Sequence, residues 1–214
     1  MVESSSEDLI QALMEAGIRD GRVIEAFRRV PRAGFVPSPW IARAYEDRPI
    51  PIPHKQVTTQ PWLIARMVEG LRLSGTERVL EVGTGLGFQT AILAMLAREV
   101  FSIERFPDLS DVSGENLRAA GIDNVTLRIG DGTTGLPDQA PFHAIVVSAA
   151  SPAVPPPLID QLAEGGRLVH PIGPGGRETV FAFRKQAGEL VEEESLTEAF
   201  FVQLIGEFGL AGDE

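Results

Sequence analysis

The sequence predicts an α/β fold: a doubly wound, mostly parallel sheet with an N-terminal helical and proline-rich cover and antiparallel C-terminal strands. Three observations predict it. From residue 61 on, short β-rich apolar runs alternate with helical stripes; a glycine turn joins one such run to a helix; and prolines crowd the segment ahead of them. Apolar strands of four or five residues are what a parallel sheet covered on both faces requires, because neither face meets water.

The elements follow in order. Leu9, Ile10, Leu13, Met14, Ile18, Val23, Ile24 and Phe27 recur at helical spacing, interrupted near Gly17 and Gly21, which predicts two short helices ending before Pro31. Seven prolines between residues 31 and 61 forbid long regular elements, since each fixes φ and removes an N–H. An ordered irregular segment of this kind suits a wall or lid. Pro61 stands where a helix tolerates proline, and Leu63, Ile64, Met67, Val68 and Leu71 form one apolar stripe after it. Strands are expected at 79–82, 100–103, 125–129, 144–148 and 167–172, with helices at 89–97, 109–119 and 157–162 between them. Gly121 closes the second of these helices. Strand-like runs at 179–184 and 200–204, separated by an acidic turn around Glu192, Glu193 and Glu194, predict an antiparallel addition at a sheet edge. The organisation reads as a cover over 1–60, a core over 61–185 and an acidic strand extension over 186–214, all in one compact unit.

Composition excludes several functions. The 214 residues carry a net charge of −11, and residues 186–214, with eight acidic and no basic side chains, supply −8 of it. A nearly balanced body with an acidic tail argues against nonspecific binding to nucleic acid or to an anionic membrane. The absence of cysteine excludes disulfides, thiolate nucleophiles and thiolate metal sites. No stretch reaches the roughly 20 apolar residues that span a bilayer, and the N-terminus lacks the pattern of a secretory signal, so a cytoplasmic protein is expected. The three histidines offer no metal spacing. His143 and His170 read as structural, whereas His54 lies where it can face a substrate.

The most informative stretch is residues 79–89, Val-Leu-Glu-Val-Gly-Thr-Gly-Leu-Gly-Phe-Gln. A strand runs into Gly83, Gly85 and Gly87, and a helix follows. Glycines there allow a tight turn and a close approach of backbone N–H groups to a ligand. The spacing is G-x-G-x-G, not the dinucleotide fingerprint G-x-G-x-x-G. Glu81, just ahead of the turn, would repel a pyrophosphate but attract a cationic cofactor such as S-adenosylmethionine. Glu104 follows the next strand, where an acid accepts hydrogen bonds from ribose hydroxyls, a feature that a nicotinamide cofactor would share. Asp131, between Gly130 and Gly132 after the third strand, stands where it can accept from an adenine amino group. Three such residues at the carboxyl ends of consecutive strands predict a nucleoside cofactor.

With these residues in view, the sequence resembles the protein-L-isoaspartate O-methyltransferases along nearly its whole length. The matching segments include Val30-Pro31-Arg32, Phe35-Val36-Pro37, Ala44-Tyr45-Glu46-Asp47, Pro49-Ile50-Pro51-Ile52, Glu81-Val82-Gly83-Thr84-Gly85, Gly130-Asp131-Gly132, Gly165-Gly166-Arg167-Leu168-Val169 and Leu204-Ile205-Gly206. The resemblance implies a Rossmann-like methyltransferase that uses S-adenosylmethionine to methylate the carboxylate of L-isoaspartyl residues in damaged proteins. It also implies roles. Val57, Thr58, Thr84 and Glu178 join the glycines and acids above around the cofactor. Thr59 takes the catalytic position beside cofactor and acceptor, and His54, Gln60, Phe201, Val202 and Leu204 line the substrate. Departures cluster on the substrate side. Where the family reads G-x-G-Q-T-I-S-Q/A-P, residues 53–61 read Pro-His-Lys-Gln-Val-Thr-Thr-Gln-Pro, so both glycines are replaced and the serine is Thr59. The tail reads Phe201-Val202-Gln203-Leu204 where the family has F-V-P-L.

Methyl transfer to a carboxylate needs no general base, because a group with a reference pKa of about 4 is ionised at neutral pH. That fits the lack of any evident His–carboxylate or nucleophile pair. Competing readings are a relative with a different acceptor, a cofactor-binding module without catalysis, and a nicotinamide-dependent oxidoreductase, the last disfavoured by Glu81 and the glycine spacing.

Overall fold

The computed structural model describes residues 5–211; Glu3, Asp213 and Glu214, part of the charge count, lie outside the described residues. The two N-terminal helices are α1 (Ser6–Glu15) and α2 (Gly21–Arg29). Ser5 and Asp8 close a capping box at the start of α1, and the Asp20 side chain caps α2. The proline-rich segment forms two 3-10 turns and then a small hairpin of β1 (Ile50–Ile52) and β2 (Gln56–Thr58). Helix α3 (Pro61–Leu71) leads into the core, where β3 (Arg78–Val82), α4 (Phe88–Leu96), β4 (Glu99–Glu104), α5 (Pro107–Ala119), β5 (Val125–Ile129), β6 (Phe142–Val147), α6 (Pro156–Gln161) and β7 (Leu162–Ile172) alternate. Strands β8 (Arg177–Gln186) and β9 (Glu189–Phe200) complete the chain.

The sheet runs in the order β5-β4-β3-β6-β7-β8-β9. Strands β3 to β7 pair in parallel, and β8 and β9 add antiparallel at one edge. Alternation along β3 sends Val79 to one face and Leu80 to the other. Val79 joins an apolar cluster with α1–α4, including Leu13, Phe27, Met67 and Ile92; Leu80 joins Val82, Phe101, Phe142 and Leu158 on the opposite side. The central strands β3, β4 and β6 are therefore dry on both faces, as their composition predicts.

Two expectations need correction. The acidic run is not a turn: Glu192, Glu193 and Glu194 lie within β9, and the hairpin reverses at Ala187 and Gly188, both at positive φ. A two-residue turn with left-handed backbone matches the twist of its strands, and the glycine at 188 makes it accessible. The glutamates are tolerated on this edge because arginines meet them. Arg66 donates to Glu194 at 2.6 Å, Arg167 pairs with Glu193, and Arg177 lies 3.3 Å from Glu198. Charged edge strands also resist pairing with another chain. Secondly, residues 200–204 do not form the partner strand of that hairpin. After Phe200 the chain instead runs beside Ala150, whose N–H donates to Val202 O and whose carbonyl accepts from Leu204 N.

Candidate active site

The carboxyl ends of β3, β4 and β6 open onto one cleft of about 670 Å³. It stands where the strand order reverses, β3 pairing with β4 on one side and β6 on the other, so that the turn after β3 is left uncovered. Gly83 and Gly85 line this cleft at φ 94° and 56°, values that side chains other than glycine rarely adopt. Gly87 lies behind it as the N-cap of α4. Its φ is 92°, and a Cβ there would come within 3.3 Å of Ser113 Cβ, so close helix packing explains this glycine.

Glu104 ends β4 with its carboxylate facing the cleft and both oxygens held by the chain. Oε2 accepts from Gly85 N at 2.9 Å and Oε1 from Phe106 N at 3.1 Å. The acid is thus fixed against the glycine turn with lone pairs left for a diol.

Glu81 behaves differently from expectation. Its side chain is fully buried between β3 and α4 and does not line the cleft. It accepts from Thr90 Oγ1, Ser102 Oγ (2.6 Å) and Gln89 Nε2 (3.0 Å), while Thr84 Oγ1 donates on to Ser102 Oγ at 2.6 Å. Burial pushes its carboxyl up to about 7, against the pull of those three donors. The residue braces the glycine turn from beneath. The reason is strand alternation, which gives Glu81 the same face as Val79 and turns it toward α4.

Asp131 is likewise committed to the chain. Oδ1 accepts from the N–H and hydroxyl of Thr133, and Oδ2 accepts from Glu207 N at 2.7 Å. Burial raises its pKa, but these donors outweigh it and hold the group below the usual carboxylate value. It does not line the cleft, whereas its neighbour Gly132 does, packed where a Cβ would meet Val82 Cγ1 at 2.4 Å.

On the other wall the hairpin contributes His54, Val57, Thr58 and Thr59, and the tail contributes Phe201, Val202 and Leu204. Thr58 turns its hydroxyl back to Arg32, while Thr59 Oγ1 has no hydrogen-bond partner among the described residues. Two residues expected here stand elsewhere. Gln60 Nε2 donates to Asp47, which also receives Trp62 N at the start of α3. Glu178 is buried on β8 and accepts from Phe201 N at 3.1 Å, which anchors the tail. Its β8 position puts it behind the wall that Phe201 forms.

Among the lining residues that sequence reasoning missed are Gln89, Ser148, Arg105 and Phe106. Gln89 donates to Glu81 and to Ser148 Oγ, leaving its buried Oε1 without a partner and available to a ligand donor. Gln89 opens α4 after the glycine turn, a position that could have flagged it. Arg105 and Lys55 are exposed cations on the cleft wall. Among the described residues no group of three His, Cys, Asp or Glu side chains has metal-binding geometry.

A cleft with a glycine turn and a fixed carboxylate on one wall and a cationic, hydroxyl-bearing hairpin on the other fits a nucleoside donor beside an anionic acceptor. Residues 4–209 match the family described as protein-L-isoaspartate(D-aspartate) O-methyltransferase. The chain belongs to that family. A protein-L-isoaspartate O-methyltransferase of Methanoculleus marisnigri is 48% identical over 208 residues, covering 97% of this chain and 94% of its own. One from Anaeromyxobacter dehalogenans is 49% identical, covering 93% and 96%. Among solved structures, a protein-L-isoaspartate O-methyltransferase superposes with TM-score 0.86 at 30% identity, over 96% of this chain and 67% of that one. A Plasmodium falciparum relative described with the same activity, in complex with S-adenosyl-L-homocysteine, gives 0.82 at 25%, over 95% and 99%. The fold of this methyltransferase is therefore Rossmann-like, as the alternating strands and helices predict.

Proposed function

We propose that this chain is an S-adenosylmethionine-dependent carboxyl methyltransferase acting on L-isoaspartyl residues of damaged proteins. One observation carries the reading: a single cleft joins the glycine turn and Glu104 to the family's substrate-side segments, residues 53–59 and 201–204. The cofactor fits the residues present. Glu104 offers lone pairs to ribose hydroxyls, the Gly83 backbone permits close approach, and Gln89 Oε1 is a buried acceptor suited to an ammonium. Thr84 and Gly132 shape the rest of that wall, and Val57 and Thr58 face it from the hairpin. When bound, S-adenosylmethionine supplies an electrophilic methyl group.

The chain's own residues then position the acceptor. Lys55 and Arg105 draw an anionic side chain toward the cleft, an effect that weakens with salt. The Thr59 hydroxyl, without a partner among the described residues, donates to one acceptor oxygen and orients the other. Phe201, Val202 and Leu204 exclude water, and no residue needs to move a proton because the acceptor is already ionised. The reading carries with it a cytoplasmic location and damaged proteins as partners; among the described residues no helix is long and apolar enough to cross a membrane.

Incubation with radiolabelled S-adenosylmethionine and an isoaspartyl peptide tests this. Base-labile methyl ester on the peptide is the expected product. Tight cofactor binding without ester would replace the reading with a different acceptor or a silent binding module.

A further inference from the structure

Arg32 is 1% exposed, one of the largest fully buried side chains in the protein, although it is a cation. A buried charge persists only where its donors are satisfied. Here the two terminal nitrogens are satisfied without a carboxylate in contact among the described residues. Nη1 donates to the carbonyls of Ala44 (2.9 Å) and Glu46 (3.0 Å), and Nη2 to those of Arg48 (3.1 Å) and Thr59 (3.4 Å) and to Thr58 Oγ1 (3.1 Å). Nε has no partner among the described residues. The guanidinium carbon lies 5.7 Å from the ring centre of Phe88, itself on the cleft wall. Burial pulls its pKa down to about 10, with nearby Asp47 opposing, so the group is charged at neutral pH. The Asp47 oxygens are engaged with Gln60 and Trp62, not with the guanidinium.

Every one of these hydrogen bonds goes to the cover or to the hairpin that carries Thr58 and Thr59. None goes to the glycine turn or to Glu104. The positive charge therefore stands directly behind the acceptor wall, in a low-dielectric setting and without a contacting anion among the described residues. We propose that Arg32 is the positioning residue of the acceptor site: it fixes the Thr58 and Thr59 backbone and lends its charge to the incoming carboxylate. A backbone keystone without this electrostatic role would need only the fork of donors. The inference rests on the isoaspartyl reading above and deepens it.

The test compares Arg32→Lys, Arg32→Met and Thr58→Val with the wild-type chain. Three quantities are read: affinity for S-adenosyl-L-homocysteine by calorimetry, and kcat and KM for an isoaspartyl peptide. Arg32→Met is expected to lower kcat/KM by about tenfold or more, the size of one charge-assisted hydrogen bond, mostly through KM. Cofactor affinity stays within about twofold in the same variant. Arg32→Lys keeps the charge and recovers part of the loss, and Thr58→Val loses roughly threefold. Equal losses in the Lys and Met variants, or a parallel loss of cofactor affinity, would overturn the proposal. If Arg32→Met does not fold, Thr58→Val decides, and an unchanged peptide KM overturns it. A wild-type chain that transfers no methyl group to the peptide overturns the isoaspartyl reading as well, which separates the two failures.

Discussion

His54 and Asp108, 54 residues apart in the chain, meet across the mouth of the cleft, with His54 Nε2 2.8 Å from Asp108 Oδ2 and 2.9 Å from Oδ1. The imidazole also stacks on Phe106, with ring centres 4.1 Å apart and planes 3° from parallel. The hairpin on the acceptor wall is thereby strapped to the start of α5, just beyond Glu104. The imidazole's hydrogen bond holds the Asp108 carboxyl below its usual pKa, with slight burial opposing. Replacing His54 with Ala removes both the hydrogen bond and the stack. The expected outcome is dissociation of S-adenosyl-L-homocysteine that is roughly threefold faster, since exposed pairs are individually weak. Stopped-flow displacement measures it, and an unchanged rate would mean that the strap does not restrain the cofactor.

Thr59 separates orientation from chemistry. Thr59→Ser retains the hydroxyl and relieves the extra methyl, so its activity should match or exceed that of the parent. Thr59→Ala removes the donor and should lower kcat/KM for an isoaspartyl peptide about tenfold. Equal steady-state rates in all three would remove this hydroxyl from the mechanism.

Lys55 holds φ 57° in the hairpin turn, next to His54 at φ 59°. A side chain in this left-handed region costs roughly 1 kcal/mol, partly offset by the greater unfolded-state entropy of a glycine replacement. Lys55→Gly is therefore expected to raise stability by about 0.5 kcal/mol in urea titration. The same change removes a cation from the cleft wall, so the KM for an acidic peptide should rise at low salt and converge on the parent at high salt. A KM difference that persists in high salt would assign the loss to shape and not to charge.

Two buried groups give the stability opposite slopes with pH. Burial raises the folded pKa of Glu81 from 4.5 to about 7, so between these values the folded chain keeps a proton that the unfolded chain has released. Stability contributed at this site falls as pH rises through that window. Burial lowers the folded pKa of His170 from 6.5 to about 3, so here stability is lost as pH falls through its own window. Glu81→Gln should gain on the wild type as pH rises, by on the order of 3 kcal/mol above neutrality. His170→Gln should lose less than the wild type on acidification. Calorimetric melting across about pH 3 to 8, a range that contains both windows, reads both. Parallel pH curves for the variants and the parent would contradict the assignment.

Much of the fold was legible because local chemistry and tertiary context agree. The apolar run at Val79 and Leu80 reads as a strand buried on both sides, and it is one. Gly83 and Gly85 announce a tight turn, and both take positive φ in it. Glu104 was readable as the acid that ends a strand, and the structure turns it toward the cleft. Glu81 was not, because a sequence gives the residue ahead of a turn but not the face its side chain takes; alternation along β3 sends it to α4. Gln60, Asp131 and Glu178 carry polar groups that suit a ligand equally well, and each has a partner 13 to 76 residues away. The acidic run misled for a related reason. Glutamates at 192 to 194 look like a turn until Arg66 and Arg167 are brought beside them. The tail's charge is thus partly neutralised by the body, and residues 201–204 are left to form an apolar wall.

The central claim is that the altered hairpin, with Lys55 and Thr59 where the family carries glycine and serine, still selects an isoaspartyl carboxylate. A competition assay measures this most directly: two peptides of identical sequence, one with an isoaspartyl and one with an aspartyl linkage, share a single pool of labelled S-adenosylmethionine. The ratio of their initial methylation rates gives the ratio of kcat/KM. The geometry of the cleft predicts label on the isoaspartyl peptide, in excess of the aspartyl peptide by about a hundredfold or more. Equal labelling of the two, or label on neither while the cofactor binds tightly, would contradict it.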